Sequence, residues 1–216
     1  MTLQADVQAV HEDADLLVLQ KPAGLLCVPG RGPDKQDCLS ARAQQHWPGA
    51  LIVHRLDQAT SGLVLMARHI DAQRRLSHAF AERQVHKRYQ AVVWGLLAAQ
   101  EGAWNEINLP IAADWERRPL RVIDPAHGKP SLTRWRLLGH HAATGTSRIE
   151  LEPVTGRTHQ LRVHMAAVGH PILGDALYAP AEVQTLAPRL LLHASHLAFA
   201  HPSTGEPLAL EWAADF

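Results

Sequence analysis

The stretch "LIVHRLDQATSGLVLMARH", residues 51–69, sets one acid, Asp57, between apolar runs and a turn-forming Thr60-Ser61-Gly62. A carboxylate between segments that favour burial must be paired, hydrogen-bonded or neutral, because an isolated buried charge is prohibitively costly. Two further segments carry groups able to act with it. In "PVTGRTHQLRVH", residues 153–164, a Gly-turn presents Arg157 just ahead of a helical stretch. A guanidinium can hold a carboxylate in bidentate geometry and keep it ionised. In "HKRYQAVVWG", Tyr89 begins a strand, and a phenol can join proton traffic.

Each residue also has a plainer reading. Asp57 suits a turn-capping aspartate that bonds the backbone of "QATSG". Arg157 suits a structural ion pair, and Tyr89 suits a core aromatic. In a nucleic-acid site the tyrosine would instead stack on a displaced base.

The elements that must position these groups follow from pattern. "DLLVLQKP" predicts a buried strand stopped by Pro22, followed by the turn-rich "AGLLCVPGRGP". "DCLSARAQQHW" has helical spacing through Leu39, Ala43 and Trp47. "LIVHRL" and "GLVLMA" read as strands flanking the Asp57 turn. "DAQRRLSHAFAER" predicts a helix capped by Asp71, with Ala72, Leu76, Ala79 and Phe80 as its apolar stripe. "RYQAVVWG" and "SRIELEP" read as strands, and the Pro-rich, basic "NLPIAADWERRPLRVIDPAHGKP" suggests hairpins and an exposed loop. "THQLRVHMAAV" predicts a short helix with Thr158 as cap and Gly169 as terminator, and "HLAFAHP" and "LALEW" supply two late strands. No repeat, low-complexity tract or long linker divides the chain. Strands mixed with a few helices predict one α+β domain, residues 1–216, around a central, largely antiparallel mixed β-sheet flanked by helices and loops.

Composition narrows the class. The 216 residues are 46% apolar and 19% charged, an ordinary globular balance with room for a sizeable core. "MTLQADVQAVHEDADLL" lacks a basic start with an apolar run, and no apolar stretch approaches bilayer-spanning length, so the expected location is the cytoplasm. Cys27 and Cys38 are too few for a structural zinc framework and read as core or surface thiols. Twenty-one basic and twenty-one acidic residues cancel formally. The basic ones nonetheless cluster at 68–88 and again from Arg117 to Arg136.

The three segments together resemble the signature of the RluA-type RNA pseudouridine synthases: an HRLD-x-x-TSG-L turn, a K-x-Y strand, and TGR-x-HQLR-x-H followed by GHPI-x-GD. Here they read "HRLDQATSGL", "KRY" and "TGRTHQLRVHMAAVGHPILGD". "KPAGLLCVPG" and "RLLLHASHLAFAHPSTGE" resemble further family segments, so the similarity runs in order through nearly the whole chain.

The resemblance implies a pseudouridine synthase fold and an essential aspartate at Asp57. It implies Tyr89 against the uracil and Arg157 paired with the acid. Arg55 corresponds to the arginine that fills the gap left by the extruded uridine, and Leu161 to the residue packing under the base. His54 and Thr60, in the same HRLD segment, join them as substrate-binding candidates. It implies no cofactor and no metal, since the isomerisation involves neither redox change nor net hydrolysis. The partner implied is RNA, tRNA and/or 23S rRNA stem-loops, and the expected state is a monomer. "KPAGLL" begins at Lys21, so no N-terminal S4-type RNA-binding domain is expected. "CVPGRGP" and "LPIAADWERRPLR" resemble the short dual-specificity branch, which modifies a tRNA anticodon loop and a large-subunit rRNA hairpin. An rRNA-only enzyme and a noncatalytic RNA-binding module are the competing readings. A metal hydrolase built on His159 and His164, His140 and His141, or His193 and His196 lacks the zincin His-Glu pattern. A kinase reading of "HRLD" fails for want of a Gly-rich loop and DFG.

Overall fold

The computed structural model describes residues 7–216, so the first six residues of the segment read for a leader lie outside it. The fold is α+β. Among the described residues no helix is long and apolar enough to cross a membrane. The chain forms two compact units, one from the described residues up to His86 with Ala194–Ala214, the other from Lys87–His193 with Asp215–Phe216.

The first unit is built on β1 (Gln8–Glu12), β2 (Leu16–Lys21), β4 (Ser61–Ala67) and β11 (Leu192–Ala200) in that order. β3 (Leu51–Ile52) lies beside β4 and β12 (Pro207–Glu211) beside β11. Leu16 to Leu19 of β2 and Leu63 to Ala67 of β4 are fully buried, which explains why both read as continuous apolar runs rather than as alternation. They pair antiparallel from Leu16–Ala67 to Lys21–Gly62. At Gly62 (φ +115°) a β-carbon would lie 2.3 Å from the Ala194 carbonyl oxygen, so only glycine fits there.

Two helices, α1 (Leu39–His46) and α2 (Ile70–Ala81), belong to this unit. Ala72, Leu76, Ala79 and Phe80 of α2 pack with Leu16, Val18, Leu63 and Leu65, as the stripe predicts. Its cap differs from expectation. His69 accepts the Ala72 N–H at 3.3 Å on Nδ1, and its Nε2 lies 2.8 Å from the Asp15 carboxylate. Asp71 falls one residue inside the helix, where it makes an exposed 3.5 Å pair with Arg74.

The second unit is an antiparallel sheet in the order β5 (His86–Trp94), β10 (Thr146–Pro153), β9 (Leu132–His141), β6 (Trp104–Asn108). A separate ribbon pairs β7 (Ile111–Ala113) with β8 (Arg121–Ile123). The helices are α3 (Gln160–Ala167) and the single turn α4 (Ala181–Gln184). α3 begins after His159, which sits left-handed at φ 57° with no side-chain cap, so Thr158 does not cap it; Gly169 (φ +86°) ends it as expected. The second basic cluster partly neutralises itself across strands: Arg134 meets Glu152 at 2.9 Å and Arg136 meets Glu150 at 2.6 Å.

Candidate active site

Asp57 is half-buried on a turn in the first unit, after the buried Leu56 and before the exposed Gln58. The Asp57 carbonyl accepts the Thr60 N–H at 3.1 Å and closes the turn. What fixes the turn is Lys21, a fully buried lysine at the end of β2. Its ammonium donates to the carbonyls of Pro22 (2.8 Å), Leu25 (2.8 Å) and Gln58 (3.0 Å). Three acceptors match the three protons of an ammonium, so the cradle favours the charged form. Burial pushes Lys21 down to about 8, against the opposing pull of Cys27 and the Asp57 carboxylate. At neutral pH a cation therefore stands beneath the turn that carries the acid. Gln58 adds a second tie: its carbonyl accepts the Gly24 N–H at 2.8 Å and its amide donates to the Gly24 carbonyl at 3.0 Å.

The flanking residues are held as well. The Leu56 N–H points to the Cys27 sulfur at 3.2 Å, and burial pushes that thiol up. Both cysteines are free and buried. His54 accepts the Leu65 N–H of β4 at 3.0 Å on Nε2, and its ring stacks on Phe80 at 4.5 Å. An accepting Nε2 places the proton of a neutral ring on Nδ1. This contact also shortens β3: the chain leaves the sheet after Ile52, and an imidazole rather than a strand takes the Leu65 donor. Arg55 is exposed and Thr60 buried.

The second unit holds Tyr89, Arg157 and Leu161. Tyr89 is half-buried on β5 opposite Leu151 of β10, and Leu161 is buried in the first turn of α3. Arg157 donates from Nε and Nη2 to the Pro130 carbonyl at 3.3 and 3.2 Å. Its loop is set by a buried polar chain. Gln160 Oε1 accepts the Thr155 hydroxyl at 2.7 Å and the Arg157 N–H at 3.0 Å. Gln160 Nε2 donates to the Leu132 carbonyl at 2.9 Å and to Thr133 Oγ1 at 3.0 Å. Thr133 Oγ1 lies 2.9 Å from His164 Nδ1, and His164 Nε2 lies 2.9 Å from the Leu109 carbonyl. A neutral His164 satisfies both contacts by accepting from Thr133 and donating to Leu109. Burial lowers its pKa against the opposing Leu109 bond, in keeping with the neutral form.

One turn along α3, Arg162 and Asp175 form a buried bidentate pair at 2.8 and 2.6 Å. Asp175 also accepts the Leu177 and Tyr178 amides at 2.9 and 3.2 Å. The "HQLRVH" and "GHPILGD" segments are thereby locked together. The Tyr178 hydroxyl sits 2.6 Å from His159 Nδ1 and accepts the Arg121 N–H at 3.0 Å.

Of the predicted residues, Asp57, His54, Arg55 and Thr60 come together in the first unit, and Tyr89, Arg157 and Leu161 all lie in the second. Lys21, Gln160, Arg162 and Asp175 complete the supports and were not singled out by sequence reasoning, while His164, weighed there as a metal ligand, serves as a support instead. The histidines weighed as metal ligands serve other partners: His140 lies 3.0 Å from Ser147 Oγ, His141 2.9 Å from Thr144 Oγ1 and His196 3.2 Å from Glu211. The 68–88 basic stretch is no continuous free face either. Arg68 pairs with Glu12 at 2.8 Å and Arg75 donates to the Pro202 carbonyl at 2.7 Å, while Arg74 and Arg83 stay exposed.

Comparison with known proteins fits these segments. The profile of the family described as RNA pseudouridylate synthase matches residues 15–167. The chain is 48% identical over 200 residues to the dual-specificity RNA pseudouridine synthase RluA of Pasteurella multocida, covering 93% of this chain and 90% of that one. It is 44% identical over 207 residues to the protein of the same name from Escherichia coli strain K12, covering 96% and 93%. The solved structure of human RNA pseudouridylate synthase domain containing 1 superposes with a TM-score of 0.81 at 31% identity, over 98% of this chain and 84% of that one. An HRLD turn, a K-x-Y strand and a TGR…GD lock on this fold, with identity at this level along nearly the full length, make the chain a member of the RNA pseudouridine synthase family.

Proposed function

We propose that this protein isomerises uridine to pseudouridine in stem-loop RNA, with a tRNA anticodon loop and a 23S rRNA hairpin as its substrates and Asp57 as its essential acid. The reaction breaks the N1–C1′ bond, turns the uracil and joins C5 to C1′, and the proton lost from C5 is balanced by one taken up at N1. Atoms balance within the nucleotide, so neither cofactor nor metal is required. Glycoside hydrolysis usually uses two carboxylates, one of them to activate water. A single committed acid suits the opposite need, which is to keep water from the detached base until it rejoins the ribose.

The observation that carries this reading is the Asp57 turn seated on the buried Lys21 ammonium through Gln58. A turn tied through Gln58 to a desolvated cation that the Pro22 and Leu25 carbonyls hold in place is preorganised, and fixed charges need little rearrangement when the reaction begins. Within the proposal Tyr89 packs on the uracil and assists loss of the C5 proton, and Arg157 holds the acid ionised. Arg55 fills the stack vacated by the flipped nucleotide, and Leu161 packs under the base. Thr60 keeps the turn closed behind the substrate, and His54 holds the segment on β4. Extruding a base costs a few kcal/mol, less for an unpaired loop nucleotide, and phosphate contacts offset it. In this reading the catalytic chain acts as a monomer, in the cytoplasm. The names of the Pasteurella multocida and Escherichia coli relatives support the two-substrate form.

The test is carbodiimide mapping of tRNA and 23S rRNA incubated with purified protein in EDTA without nucleotide. Pseudouridine in both RNAs is expected. Signal in rRNA alone selects the narrower enzyme, and signal in neither overturns the proposal.

A further inference from the structure

The ribbon of β7 and β8 ends in a loop whose Trp115 is 71% exposed, more than any other large hydrophobic side chain among the described residues. The loop is nonetheless well fixed. The Asp114 N–H donates to the Leu120 carbonyl at 3.1 Å, and the Leu120 N–H donates to the Arg117 carbonyl at 2.9 Å. The Asp114 carboxylate accepts the Arg117 N–H at 3.0 Å and Arg117 Nε at 2.8 Å. The guanidinium of Arg118 lies over the indole, 4.3 Å from its centre. One face of the ring is thus backed by a cation, and the other contributes to the large exposure.

The ribbon is anchored to the segment that carries Arg157. Lys129 and Ile111 exchange backbone bonds at 2.9 and 3.0 Å, and Pro130, the next residue, supplies the carbonyl held by Arg157. On the other strand, Arg121 donates to Tyr178, which contacts His159 at the start of α3. An aromatic projected into water from a braced loop gains nothing for folding, but it is ready to stack at little entropic cost.

We propose that Trp115 and Arg118 form a docking platform for an unpaired base of the RNA substrate away from the reacting uridine. The base stacks on the indole face opposite Arg118, and the adjoining phosphate takes the Arg118 guanidinium. Aromatic stacking accepts any base, and an arginine at the ring matches both a π-face and a phosphodiester. Arg117, Arg118 and Arg121 outnumber Asp114 and Glu116 along this short run, so the charge also favours a polyanion. The inference rests on the proposed RNA substrate and extends it with a contact that selects loops having a second free base.

The experiment compares the full-length wild type, Trp115→Ala and Trp115→Phe for binding to a fluorescein-labelled anticodon stem-loop, and to the same RNA made abasic at one loop nucleotide at a time. The exposed position predicts unchanged thermal midpoints. Trp115→Ala is expected to raise Kd about tenfold or more, with the Phe variant recovering most of the loss, as stacking predicts. One abasic RNA should bind wild type as weakly as the alanine variant binds intact RNA, and that variant should not notice the missing base. Equal Kd for wild type and Trp115→Ala overturns the inference, as does an alanine loss that persists on every abasic RNA. A wild-type dimer that dissociates in the alanine variant, with RNA affinity unchanged, assigns the indole to a second copy and also overturns it. Pseudouridine formation at saturating RNA is measured alongside. Wild type that binds but makes none defeats the proposed activity while the binding comparison still decides this contact.

Discussion

The buried ammonium of Lys21 and the carbonyl of Gln58 stand 3.0 Å apart, joining the end of one core strand to the turn that bears Asp57. This bond lies one residue from the acid, and the same ammonium binds Pro22 and Leu25. Replacing Lys21 by Met keeps most of the stem and leaves three carbonyls without their donor. Unmade buried hydrogen bonds of this kind cost about 3 kcal/mol in total once partial relaxation is allowed. Lys21→Met should lower stability by that order in urea unfolding and reduce pseudouridine formation in the fraction that remains folded. Unchanged activity would show that the cradle does not position the acid.

Arg162 and Asp175 are both nearly inaccessible to water. Removing one partner strands the other's charge, so Arg162→Met alone should cost about 3–5 kcal/mol. The double variant Arg162→Met/Asp175→Leu should recover part of that loss, because no charge is then left unpaired. Chemical denaturation of the set gives the coupling directly. Additive losses would contradict the buried pair as drawn.

Two groups set expected pH windows. Burial raises the Asp13 carboxyl, but hydrogen bonds from His11 and the Asp15 and Leu16 amides, with the His201 charge, outweigh it and hold the group at about 2. Its folded value is below the ordinary 3.8, so its stabilisation is complete above about pH 4 and is lost as pH falls towards 2. His164 is lowered by burial from 6.5. The unfolded chain therefore takes up that proton first, and stability should decline as pH drops below about 6.5. Unfolding free energies across these ranges should show both slopes. Asp13→Asn should flatten the acid one and His164→Gln the one nearer neutrality.

Much of this was legible in the residues because local pattern and tertiary need agree. The run Leu16 to Leu19 announces a strand buried on both faces, and the Ala72–Leu76–Phe80 spacing announces the packed face of α2. The departures arise where side chains replace backbone or ordinary caps. His69 takes the cap role assigned to Asp71, β3 stops at Ile52 because His54 satisfies Leu65, and His159 starts α3 from a left-handed conformation that sequence pattern does not reveal. Lys21 was the larger omission. Lys21 closes the run read as a buried strand, but pattern alone assigns its ammonium no partners, and the three converging carbonyls supply them. The succession Lys21-Pro22-Ala23-Gly24 was the available signal, since Gly24 supplies the close backbone contact with Gln58. Arg134 and Arg136 read as a basic surface because the acids that neutralise them, Glu150 and Glu152, come from another strand.

The most direct measurement of the central claim is pseudouridine formation by Asp57→Asn beside wild type on the same stem-loop RNA, with binding measured in parallel. The substitution keeps size and hydrogen-bonding capacity and removes the charge and nucleophilicity. The expected result is a fall in rate of about a thousandfold or more, with affinity for RNA within roughly threefold of wild type. Product at the wild-type rate from the asparagine protein would contradict the account, because the acid on the Lys21-held turn would then have no part in the chemistry.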